Sequence, residues 1–108
     1  MSHDFKEQRA ETFETFAAME EGVVLPKEAV LYYQFYAEEM EPDWKGAEAA
    51  LGRLGFACER DEEEGLLVAS FGPIPVTPEA IWKEEKRATE AVLPFDFVPD
   101  GWELVTEE

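Results

Sequence analysis

Twenty-six carboxylates, one histidine and one cysteine are the side chains from which this chain could build chemistry. A nucleophile–base pair or a histidine-ligated metal site needs imidazole, and His3 stands alone in an N-terminal stretch that reads as a frayed tail. Cys58 falls on a predicted strand with no histidine partner, so it reads as a small buried hydrophobe. The carboxylate run "DEEE" at 61–64 lacks the alternating ligands and internal glycine of a calcium loop, and reads as a solvated hairpin turn. Gly72 and Gly101 are isolated turn glycines, not a phosphate-binding loop. These residues point to no catalysis, no cofactor and no metal.

Surface chemistry remains. Nine Lys and Arg against 26 Asp and Glu leave a formal net charge of −17 over 108 residues. Such a field repels phosphate backbones, which argues against direct nucleic-acid binding, and attracts basic protein segments, fastest at low salt. Acidic clusters lie at Glu38, Glu39, Glu41 and Asp43, at Asp61 to Glu64, and at Glu103, Glu107 and Glu108. Trp44, Trp82 and Trp102 lie near such charges in sequence. Arginine can stack on an aromatic ring while its fork pairs with an acid, so these clusters suit an Arg/Lys-rich partner. A single cysteine allows no internal disulfide and fits a reducing compartment. The N-terminus carries no secretory pattern and no apolar run is long enough to span a bilayer. A cytoplasmic protein is expected.

The elements that would carry these residues form one domain, 1–108: an N-terminal helix within 1–22 and a core over 28–105. In the first helix Phe5, Phe13, Phe16 and Ala17 can share a face. "EAVLYYQFYA" (28–37) is aromatic and β-branched on both phases and reads as a buried strand. Pro42 suits the first position of a second helix, whose Trp44, Ala47, Leu51 and Leu54 form an inward stripe ended by Gly55. "FACER" and "LLVASF" (66–71) are strands around the acidic turn. Thr77 caps a third helix with Pro78 at its first position; Ile81, Ala88 and Val92 point inward and Pro94 stops it. A last extended piece, "FDFVPDGWELV", closes the chain.

This order, β-α-β-β-α-β after an extra helix, is the split βαβ of an α+β, ferredoxin-like sandwich with a four-stranded antiparallel sheet. The first and third strands would be central. The fourth carries Pro99, which belongs on an edge. On the first strand Leu31, Tyr33, Phe35 and Ala37 form one face, and Val30, Tyr32, Gln34 and Tyr36 the other, which turns away from the main core. Three covers suit that second face: the N-terminal helix, which is the simplest, a second copy of the chain in a homodimer, or a binding partner.

The aromatic strand, the helix ending "LGRLGF", the acidic turn, the proline-initiated last helix and the terminal "DGW" together resemble the RraB family, regulators of ribonuclease E activity, over about residues 28–105. Family members end a strand in Tyr-Asp-Gly-Trp-Gly. Asp100, Gly101 and Trp102 match, whereas Pro99 stands for the Tyr, Glu103-Leu104 for Gly-Thr, and "TEE" for a long acidic tail. The resemblance implies a non-enzymatic protein that binds ribonuclease E through its basic scaffold portion and lowers RNA cleavage. The residues expected to meet the partner are Asp100, Gly101, Trp102, Glu103, Tyr32, Tyr36, Glu38 and Glu39. Two alternatives stay open: an acidic immunity-type inhibitor of another cationic enzyme, and a dimeric domain that binds a small ligand.

Overall fold

The computed structural model describes residues 3–105. Its elements are α1 (Phe5–Gly22), β1 (Glu28–Ala37), α2 (Trp44–Arg53), β2 (Ala57–Asp61), β3 (Leu66–Pro75), α3 (Pro78–Val92), a short 3-10 turn (Leu93–Phe95) and β4 (Phe97–Val105). The four strands form one antiparallel sheet in the order β2-β3-β1-β4, the ferredoxin-like arrangement. The two most apolar strands take the centre, and the strand with Pro99 takes an edge.

Local chemistry sets the helix ends. Asp4 accepts from the Glu7 amide at 3.0 Å, Asp43 from the Gly46 amide at 2.9 Å, and Thr77 from the Ala80 amide at 3.1 Å, each satisfying an amide that the first turn leaves without a partner. Helix α2 therefore starts at Trp44 and not at Pro42, because the Asp43 carboxylate takes the cap and leaves Pro42 outside it. Strand β3 runs on past Phe71 to Pro75, although "GPIPV" reads as a connection. Its pairing with β2 ends at Ser70, so beyond that point one flank of β3 is free and prolines fit. The register against β1 shifts between Ala29 and Leu31, with Gly72 at φ 138° on the opposing strand.

The core lies between the sheet and the helices. Leu31, Tyr33 and Phe35 of β1, Leu67 and Ala69 of β3 and Phe97 of β4 meet Ala47 and Leu51 of α2 and Ile81, Ala88 and Val92 of α3. Within it the Tyr33 hydroxyl donates to the Ile81 carbonyl at 2.9 Å, and burial, followed by the nearby Glu85 and Glu84, drives its ionisation far above the usual tyrosine range. Tyr33→Phe removes that donor from a buried pair, so urea unfolding should show a loss of about 1–1.5 kcal/mol. An unchanged midpoint would mean the carbonyl is equally well served by its helix.

Helix α1 departs from expectation. Its buried stripe is Gln8, Thr12 and Phe16, while Ala17 is exposed and Phe5 and Phe13 are only half-buried. The cause is its partner: α1 lies beside α3, where Glu85 and Thr89 offer hydrogen-bonding groups instead of an apolar groove. Gln8 Nε2 donates to Glu85 Oε2 at 3.1 Å and to Thr89 Oγ1 at 3.0 Å, and the Thr12 hydroxyl donates to Glu85 Oε1. His3 is likewise engaged, its ring 4.7 Å from that of Phe5 and its Nε2 donating to Gln8 Oε1 at 2.5 Å. All three helices thus form one layer on one side of the sheet, and α1 does not cover the opposite face.

Candidate functional site

Antiparallel register decides which side chains share the uncovered face. Residues directly opposite one another project to the same side, so Tyr32 lies with Ser70 and Glu103, Gln34 with Val68, and Tyr36 with Leu66 and Val98. Strand β2 adds Ala57, Glu59 and Asp61 opposite Ser70, Val68 and Leu66. Among the described residues of this face there is no Lys or Arg. Its centre is tyrosine and aliphatic, with Tyr36 45% exposed. Carboxylates stand at both flanks: Glu59 and Asp61 on β2, continued by Glu62 and Glu63 of the turn, and Glu103 on β4. A shallow trough beside Leu66 and Val68 is walled by Glu59, Asp61, Glu62 and Glu63, with Arg60 also at its edge, 3.4 Å from Glu62.

The expected partner-facing residues do not all gather here. Tyr32, Tyr36 and Glu103 do. Glu38 and Glu39 are exposed just beyond the end of β1, where the Glu38 amide donates to the Asp96 carbonyl at 2.9 Å. Asp100 and Gly101 form a bulge: Tyr33 faces Trp102 and Phe35 faces Pro99, so three steps on β4 oppose two on β1, with Gly101 at φ 107°. Glycine at that position avoids the strain a side chain would meet at positive φ. The Asp-Gly pair thus makes a kink in an edge strand, a device that also discourages edge-to-edge pairing.

That kink places Trp102 on the helix side, away from Tyr32 and Tyr36. Its ring is half-buried against the core and its Nε1 donates to Thr12 Oγ1 at 3.2 Å. Between α1 and the bulge runs a cleft of about 480 Å³, with Gln8, Thr12 and Glu85 at its floor and Asp4, Glu7 and Asp100 among its walls. Sequence patterning missed this polar floor, since Gln8, Thr12 and Glu85 sit on helices without any apolar signal. The alternation of "ACERD" could have assigned Glu59 and Asp61 to the uncovered face.

Arg60 and Arg87 are held mainly on the helix side. Arg60 pairs with Glu48 beneath α2, 5.5 Å from the Trp44 ring centre. Arg87 pairs with Glu84, donates to the Leu54 carbonyl at 3.2 Å and lies 5.8 Å from the rings of both Phe56 and Phe71. Cys58 is half-buried on the helix side; burial first, then Glu48, pushes its thiol up to about 11, which holds it in the unreactive protonated form at neutral pH. No helix among the described residues is long and apolar enough to cross a membrane.

The helices and the four-stranded antiparallel sheet define a small ferredoxin-like α+β protein. Residues 9–104 match the family model described as RraB, Regulator of ribonuclease activity B. The chain belongs to that family, whose description makes it a regulator of ribonuclease activity. No curated protein matches the chain.

Proposed function

We propose that this protein regulates its ribonuclease without chemistry of its own, by docking a basic segment of the enzyme (ribonuclease E, by the resemblance) on the uncovered sheet face. The observation that carries this reading is the composition of that face: a tyrosine and aliphatic centre, carboxylate flanks, and no Lys or Arg among its described positions. Aromatic residues at the centre of a polar rim are the pattern of a protein-binding surface. The net charge of −17 suits a cationic partner and opposes both RNA and a second copy of the chain. A reducing, cytoplasmic setting is consistent with the lone cysteine.

The test is calorimetric titration of the purified ribonuclease E scaffold region with wild type, Tyr32→Ala/Tyr36→Ala and Glu59→Lys/Asp61→Lys, at low and high salt. Each tyrosine truncation is expected to weaken binding by about tenfold, the size of an ordinary hot spot. Charge reversal should weaken binding at low salt and flatten the salt dependence. Wild-type affinity in both variants would remove the sheet face from consideration.

A further inference from the structure

We propose that α1 is a detachable strap whose hold on α3 and β4 is set by the charge on Glu85, and whose release uncovers Trp102 and the inner side of the kinked edge strand. This goes beyond the docking surface on the opposite face and does not depend on the partner's identity.

Three features of the α1 contact support it. First, two of its three buried residues are polar, Gln8 and Thr12, and Phe16 is its one fully buried apolar anchor, so hydrogen bonds carry a large share of the hold. Second, the hydrogen bonds that hold it converge on one carboxylate. Both oxygens of Glu85 accept from α1, one from Thr12 and one from Gln8, and Thr12 in turn accepts from Trp102 of β4. Third, that carboxylate is 4% exposed and faces no Lys or Arg among the residues lining the cleft.

The charged and titratable groups around it are His3, Asp4, Glu7 and Glu11 from the α1 side, Asp100 from the β4 bulge, Tyr33 from β1, and Glu84 and Lys86 on α3 itself. Lys86 is directed instead to the Phe5 ring, 5.9 Å from its centre. Most of these neighbours are acidic, so an ionised Glu85 is buried among like charges.

The direction of the effect follows from linkage. Desolvation is the largest influence on Glu85 and raises its pKa above the ordinary 4.5; repulsion from Glu11 adds to this, while hydrogen bonds from Thr12 and Gln8 and the proximity of His3 oppose it. With α1 released, Glu85 meets water and returns to its ordinary value. The docked state therefore binds the proton more tightly. Docking has its full strength below the ordinary value and weakens as pH rises through the raised one. Alkaline conditions loosen the strap and acid tightens it.

Amide hydrogen exchange of the full chain, read segment by segment from pH 4 to pH 8 and corrected for intrinsic base catalysis, tests this. Opening of α1 should grow as pH rises from the ordinary carboxylate value through the raised one and level off above it, with a slope of at most about tenfold per pH unit, the limit for one linked proton, while β1 and α3 stay flat. Glu85→Gln, neutral throughout, should give high α1 protection with no pH dependence. A pH-independent α1 in the wild type overturns the proposal, as does a Glu85→Gln variant that keeps the wild-type profile. A profile abolished by His3→Ala but kept by Glu85→Gln assigns the switch to His3 and overturns it equally. If Glu85→Gln fails to fold, the wild-type profile of α1 against α3 decides alone.

Discussion

Phe97→Ala is expected to lower the unfolding free energy by about 4 kcal/mol, within the range for truncating a fully buried phenylalanine. Phe97 is wholly buried, opens β4 opposite Ala37 of β1, and sets its ring edge-on to Trp44 of α2 with 5.0 Å between ring centres. Its removal leaves a cavity where the last strand, a central strand and a helix meet, and none of the three can collapse into it without breaking a ladder or a cap. Urea unfolding should show a lower midpoint and an unchanged slope. The adjacent Val98 projects to the uncovered face, so Val98→Ala is the matched control and should cost under about 1 kcal/mol. Equal losses in the two variants would mean that the facing of β4 is wrong.

That alternation is also why much of the fold could be read from the sequence. Leu31, Tyr33 and Phe35 against Tyr32, Gln34 and Tyr36 is a period-two signal with distinct chemistry on each phase. The caps at Thr77 and the stripe Ile81, Ala88 and Val92 are equally local. Failures occurred where tertiary context outweighed pattern. The first helix offered Phe5, Phe13, Phe16 and Ala17 on one apolar face, and of these only Phe16 is buried; Gln8 and Thr12 take the rest of the stripe, because α3 presents Glu85 and Thr89 there as hydrogen-bonding partners. The prolines at 73 and 75 read as a loop because a sequence does not show that β2 is too short to flank the end of β3. Tyr32 and Tyr36 could be placed together from alternation alone, whereas Glu103 joins them only through the register shift in β4. Trp102 could not be separated from them, since the one-residue slip at Asp100–Gly101 that turns it to the other side is a register event.

The bulge therefore divides the terminal strand between two tasks. Before it, Phe97 and Pro99 face inward; after it, Trp102 and Leu104 do so, while Val98 and Glu103 remain outside with the tyrosines. A bulge-free β4 would put Trp102 among the docking residues and leave Thr12 without its donor. In this chain Asp-Gly-Trp has a geometric role: glycine permits the kink, and the tryptophan is the side chain the kink redirects.

Trp102→Ala should accordingly lower stability by about 3 kcal/mol, the low end for truncating a large aromatic, because the ring is half-buried and not enclosed. About 1 kcal/mol of that belongs to the indole hydrogen bond, so Trp102→Phe, which keeps a ring but loses the N–H, should cost less than half as much. Loss of the donor also removes a tie between β4 and α1, so the α1 amides should exchange faster in both variants than in wild type. Affinity for a basic partner, measured where the variant is fully folded, should stay within about threefold of wild type, a change of less than 1 kcal/mol, because Tyr32 and Tyr36 lie on the other side of the sheet. The opposite pattern, unaltered unfolding with binding abolished, would make Trp102 a contact residue and move the docking surface to the helix side.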